Sequence, residues 1–283
     1  MKKLDAQAFR IKQEKSEDIL VSENIVLTQV EGHVGLIVIN RADKFNCLSM
    51  AVHQSIQDAL VAHEANPDVR AILLCSEGKH FCTGADLAEV QTKIDAVGND
   101  ALQAFIELGH KTCTDLEQSN LPVIGAVQGF CLAGGLEISL GCDLLFAADD
   151  AVFGDQHANY GLIPGWGGSQ RLPRIIGFRR ALDLMMSGRR LKAVEAKEWG
   201  MVNYLAPAEQ LRNEALNYCK LIASKSAVGI QTMKELAYQG ADLSLAESLE
   251  VEVSEAVKGL KSDDVKEGLT AFNERREPVF KTR

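Results

Sequence analysis

The 283 residues carry 30 Lys and Arg against 39 Asp and Glu, a formal net charge of −9, and this acidic balance excludes the usual nucleic-acid binder, which needs clustered cations to neutralise phosphates. No run approaches the ~18 apolar residues of a transmembrane helix and no signal peptide opens the chain, so no membrane partner is expected. The seven cysteines, at 47, 75, 82, 113, 131, 142 and 219, form no CxxC pair and show no zinc spacing, which predicts no metal and places small buried thiols in a reducing compartment, the cytoplasm by default.

Residues 1–20 are polar and mixed in sign, with Glu14, Glu17 and Asp18 among the lysines. A mitochondrial transit peptide is poor in acidic residues, so this stretch reads as a flexible N-terminal extension. The runs 26–29 and Val34–Ile39, separated by Glu31, Gly32 and His33, predict a β-hairpin with His33 in its turn. Ser49 caps a helix over Met50–Ala65 that Asn66 and Pro67 end. A strand over 69–75 follows, and Val123–Val127 is a second, rich in β-branched residues.

That second strand breaks at Gly129, and Gly134 and Gly135 lead into a helix over 136–140, followed by a strand over 144–147. The first N–H groups of such a helix have no partner within it and carry the positive end of its dipole. Glu137 lies one turn further in on the face of Gly134, so an oxyanion donor and a carboxylate share one cleft. Alternating strands and helices give an α/β fold with crossover connections. Beyond Arg174 the pattern is helical, over 179–187, Ala193–Glu198, 208–223, 227–238 and 243–258, apart from a short run at 201–205. We therefore divide the chain into an α/β core over 21–205 and a C-terminal helical region over 206–283.

Five segments occur in a telling order: NRADKFNCLS from 40, GKHFCTGADL from 78, AVQGFCLAGGLEISLGCD from 126, GLIPGWGGSQRLPR from 161 and AKEWGMVNYL from 196. Together they resemble the enoyl-CoA hydratase/isomerase (crotonase) superfamily, from about Asn24 to the C-terminus. The resemblance implies a crotonase-like spiral of ββα repeats with a C-terminal helical trimerisation region, hence a homotrimer or homohexamer. It implies an acyl-CoA thioester substrate, with coenzyme A as part of the substrate and no separate cofactor. The backbone N–H groups of Ala85 and Gly134 would hold the thioester oxygen, and Glu137 would activate water. Around them the resemblance marks Lys79, His80, Phe81, Gly84, Asp86, Leu87, Gly135, Pro164, Gly165 and Trp166 as substrate contacts. As a lone aromatic, Trp166 suits core packing equally.

The departure is His157, which stands where family hydratases carry a second glutamate that delivers the α-proton. Histidine can do the same proton work near neutral pH; a pocket spacer is the alternative, and Asp155, Gln156 and Asn159 are polar neighbours. Arg171, Arg174, Arg179, Arg180, Arg189, Arg190 and Lys192 suit either a phosphorylated handle or a solvated face. Phe272, Arg275, Arg276 and Phe280 lie in a tail resembling one that closes the coenzyme A site in the family. No dinucleotide fingerprint, phosphate loop or serine elbow is present. The expected activity is 2-enoyl-CoA hydration; the alternatives are another acyl-CoA reaction, such as decarboxylation, thioester hydrolysis or a specialised dehydration, or acyl-CoA binding without turnover.

Overall fold

Val34–Ile39 reads VGLIVI, and every residue of it is buried, as in a strand covered on both faces. In the computed structural model, which describes residues 24–95 and 98–281, it is β2, paired antiparallel with β1 (Val26–Glu31) through the turn at Gly32 and His33. The expected N-terminal extension over 1–20 lies outside the described residues. Next comes α1 (Met50–Ala65), where the Ser49 hydroxyl accepts from the Val52 N–H and Val52, Ile56, Leu60 and His63 turn inward. The fully buried β3 (Ala71–Ser76) leads to α2 (Leu87–Ile94) and α3 (Asp100–Glu117).

The middle of the chain runs β4 (Val123–Val127), β5 (Phe130–Leu132), α4 (Gly134–Ser139), β6 (Leu144–Ala148) and β7 (Val152–Gly154). A 3-10 turn at His157–Tyr160 precedes α5 (Gly168–Ile176) and α6 (Phe178–Ser187). Then come β8 (Leu191–Lys192), α7 (Ala193–Glu198), β9 (Tyr204–Ala206) and α8 (Leu211–Ala223). The chain finishes in α9 (Ala227–Gly240), α10 (Leu245–Gly259) and α11 (Asp263–Glu274).

Six strands form one sheet in the order β1-β2-β3-β4-β6-β9, and three form another in the order β5-β7-β8. From β2 to β9 every pairing in the large sheet is parallel. The passage β4-β5-α4 and the passage β6-β7-α5 each lay one strand in either sheet, and the Cys82–Cys131 bridge ties the segment after β3 to the small sheet as well. Loops leaving the carboxyl ends of β3 and β4 therefore meet in the crevice between the sheets, where open α/β sheets bind ligands.

The structure differs from the sequence reading in three places. The strand expected at 69–75 is Ala71–Ser76. The segment beyond Arg174 returns to the small sheet as β8, which the sequence reading lacked, while β9 overlaps the short run at 201–205 that it had set apart. Helix α8, grouped with the C-terminal region by sequence, packs on β3 and β4 and buries Leu211, Ala215 and Cys219 in the core. Arg70, just before β3, donates to the Phe280 carbonyl of the tail at 3.0 Å.

Candidate active site

Leu48 lies opposite Ala85 in an isolated parallel bridge: the Leu48 N–H donates to the Gly84 carbonyl and the Asp86 N–H to the Leu48 carbonyl, at 2.8 and 2.9 Å. This leaves the Ala85 N–H without a backbone acceptor among the described residues. Gly134, first residue of α4, likewise lacks an acceptor within the helix. The turn before it is strained. Ala133 sits at φ 49° and ψ −119°, a region costing a side-chain-bearing residue about 1–3 kcal/mol, and its N–H is pinned to the Gly154 carbonyl at 2.8 Å. Gly84, at φ 108°, packs so closely on this turn that a Cβ there would lie 3.2 Å from the Gly134 nitrogen. The two loops thus touch, and Ala85 and Gly134 line one cavity of about 500 Å³. Its apolar wall comes from Leu87, Val90 and Ile94 of α2 and Phe105 and Ile106 of α3.

Glu137 is 2% exposed and its carboxylate is divided between two tasks. Oε1 accepts the Trp166 N–H at 2.8 Å and the Gly168 N–H at 2.9 Å. Oε2 is left facing the His157 Nε2 at 3.6 Å. Burial pushes the Glu137 carboxyl above its ordinary range, and the Gly168 N–H, the His157 charge and the Trp166 N–H pull it only part of the way back. Trp166 both lines the cavity and packs as core, with its ring edge-on to His53 at 4.6 Å and tilted against Phe105 at 5.6 Å. It leaves no room beside it: a Cβ on Gly134 would lie 2.2 Å from its ring.

His157 opens the 3-10 turn, half-way between two carboxylates. Its Nδ1 is 3.0 Å from Asp155 Oδ1 and its Nε2 faces Glu137. Burial pulls the imidazole pKa down, but the hydrogen bond and charge of Asp155 and the charge of Glu137 outweigh it, so the value is raised above 6.5. The structure thereby joins three titratable groups from α4, the end of β7 and the 3-10 turn. Sequence spacing alone assembles only Asp155 and His157; Glu137 reaches them through the fold.

Of the other expected contacts, Leu87, Gly165 and Trp166 line the cavity. Phe81 is wholly buried, and Gly135 packs on the Cys82 carbonyl. Asp86 caps α2 through the Glu89 N–H and pairs with Arg41 at 3.0 Å. His80 is stacked between Phe45 and Phe130, its Nδ1 accepting the Phe130 N–H. Lys79 and Pro164 are also outside the cavity lining. Two cations of the basic segment are spent on ion pairs: Arg171 with Glu117, and Arg189 with Asp183 and Glu195. Arg190 alone of that segment lines the cavity, its guanidinium over the Phe130 ring. Beyond Leu87, the walls from α2 and α3 were missed in the sequence; the amphipathic spacing of Leu87, Val90 and Ile94 was the available signal. A larger groove, about 800 Å³, runs between α5 and α9, but its Lys234, Asp143 and Tyr238 already satisfy one another.

The family model for enoyl-CoA hydratase/isomerase matches residues 29–283. This chain belongs to that family. A Dictyostelium discoideum protein called "Probable enoyl-CoA hydratase, mitochondrial" is 36% identical over 89% of this chain and 89% of its own length. A "Probable enoyl-CoA hydratase" of Rhizobium meliloti is 35% identical over 93% of this chain and its full length. The crystal structure of an enoyl-CoA hydratase from Bacillus anthracis superposes with a TM-score of 0.87 at 34% identity, covering 92% of this chain and all of that one. The α/β architecture is therefore that of the enoyl-CoA hydratase/isomerase family. Within it, this chain pairs Glu137 with a histidine.

Proposed function

We propose that this protein hydrates 2-enoyl-CoA thioesters, with Glu137 as base and His157 as acid. The observation that carries the reading is the meeting of Glu137 Oε2 and His157 Nε2, 3.6 Å apart, on the cavity lined by Ala85 and Gly134. The thioester oxygen accepts the N–H groups of Ala85 and Gly134, which gain strength as enolate charge develops, at about 3 kcal/mol for each well-placed donor. Glu137 Oε2 takes a proton from water while the hydroxyl adds to the β-carbon. His157 Nε2 gives its proton to the α-carbon, leaving a neutral ring. Transfer from protonated Oε2 back to Nε2 restores both groups, so water's two fragments are fully accounted for. Arg190 at the cavity suits the phosphates of coenzyme A. No separate cofactor enters this scheme.

The test is loss of the conjugated enoyl thioester absorbance when crotonyl-CoA meets the purified protein. The Asp155–His157 pair also favours a second reading, water attack on the thioester carbonyl; release of free thiol from butyryl-CoA, which has no double bond to hydrate, distinguishes it. A homotrimer or homohexamer is supported by α10 and its C-cap, where Leu245, Val253 and the capping Leu260 are 75%, 63% and 69% exposed on a single chain; light scattering of the purified protein checks it. Seven free cysteines, six of them buried, suit a reducing compartment, and we assign the cytoplasm.

A further inference from the structure

Asp155 follows directly on β7, and it is 1% exposed. A carboxylate at that depth needs a cation or several donors. Its ion-pair partner among the described residues is His157. Oδ1 receives the His157 Nδ1 at 3.0 Å and the His157 N–H at 3.3 Å, while Oδ2 has no hydrogen-bond partner. The contact is built into the backbone. Gln156 between them takes a left-handed φ of 61°, held by its side chain donating to the Gly188 carbonyl at 2.7 Å, and this conformation folds the imidazole back over Asp155.

We propose that Asp155 is a positioning residue that keeps the proton on His157 Nδ1 in both charge states, so that Nε2 alone gives and regains the proton facing Glu137. The inference rests on the hydratase reading above. When Nε2 hands its proton to the α-carbon, the neutral ring retains its Nδ1–H on Asp155, and the Nε2 lone pair is turned toward Glu137 Oε2 to be reprotonated. Without Asp155 the neutral ring is free to adopt the other tautomer, whose Nε2–H cannot accept that proton. The charged groups facing the ring are Asp155 from the end of β7 and Glu137 from α4. Helix α6 packs behind the turn, but it meets it through the Gly188 carbonyl, which accepts from Asn159, and Asp183 of α6 is paired with Arg189. Tyr160 and Arg190 share the cavity lining.

The experiment combines imidazole nitrogen NMR of the full chain, with His157 assigned by the signal lost in His157→Gln, and kinetics on crotonyl-CoA. In the parent, neutral His157 is expected as the Nδ1–H tautomer, titrating above 6.5. In Asp155→Asn the Nε2–H tautomer appears, the titration moves to lower pH, kcat falls by ~100-fold or more with KM within about 3-fold, and the alkaline limb of the pH profile moves down with it. Asp155→Glu recovers the parent tautomer and part of kcat. An unchanged tautomer and titration in Asp155→Asn, or an unmoved alkaline limb, overturns the proposal. If Asp155→Asn does not fold, the parent spectrum decides: a neutral Nε2–H tautomer there overturns it. A parent without hydratase activity but with the tautomer switch intact overturns the hydratase reading, while supporting the hold of Asp155 on the ring.

Discussion

Glu137 Oε2 and His157 Nε2 face each other at 3.6 Å from two elements that share no backbone hydrogen bond, α4 and the 3-10 turn after β7. Each group raises the question of which proton state works. Addition of water needs Glu137 ionised and His157 protonated at the same moment.

The pH profile follows from the directions of the two shifts. Because burial raises the Glu137 carboxyl, activity is lost as pH falls through a value above the ordinary 4.5. Because Asp155 and Glu137 outweigh burial at His157, activity is lost as pH rises through a value above 6.5. A bell-shaped kcat/KM profile on crotonyl-CoA is expected, and His157→Ala should abolish its alkaline limb along with most of the rate. A profile that is flat from pH 6 to 9 would contradict the assignment of His157 as acid.

Glu137→Gln should separate activity from stability. The amide oxygen can still accept the Trp166 and Gly168 N–H groups that Oε1 now binds. Hydration should fall at least ~100-fold. A carboxyl whose folded pKa is raised weakens the fold at pH values above its unfolded pKa, where the unfolded chain ionises more readily. The neutral variant should therefore melt higher than the parent at pH 7 and lose that advantage as pH drops toward 4. Calorimetry at the two pH values measures it.

Gly109→Ala should damage the site from behind. A Cβ on Gly109 would lie 2.3 Å from the Trp166 ring, which is itself wedged against His53 and Phe105. The ring must move, and with it the Trp166 N–H that holds Glu137. Overpacking of this kind costs about 1–3 kcal/mol, so urea unfolding should show that loss together with a fall in kcat. Parent-like kcat in a destabilised variant would mean that Glu137 is positioned without Trp166.

Arg190→Ala tests the phosphate contact. Loss of one charge-assisted hydrogen bond, about 1.5–3 kcal/mol, should raise KM for crotonyl-CoA roughly 10-fold or more. Crotonyl-pantetheine lacks the nucleotide phosphates, so its KM should not change. Equal effects on both substrates would place Arg190 at the acyl or pantetheine end of the cavity.

The order of the elements was legible in the chain because it depends on local rules. The apolar run Val34–Ile39, the Ser49 cap and the Gly134–Glu137 spacing each act within a few residues. The family resemblance added Ala85 and His157 to the Gly134 donor that these local rules marked. They could not bring Ala85 to Gly134 or Glu137 to His157, since those meetings depend on where β3, β4 and β7 lie in two sheets. Nor could they show that Trp166 closes the cavity and holds Glu137 while packed in the core. The pairing of Arg171 with Glu117 and the place of Arg190 on the cavity are likewise set by neighbours distant in sequence. Electrostatics explains the division: a proton's affinity for Glu137 or His157 is fixed by burial and by charges a few ångströms away. Only the tertiary structure brings those charges together.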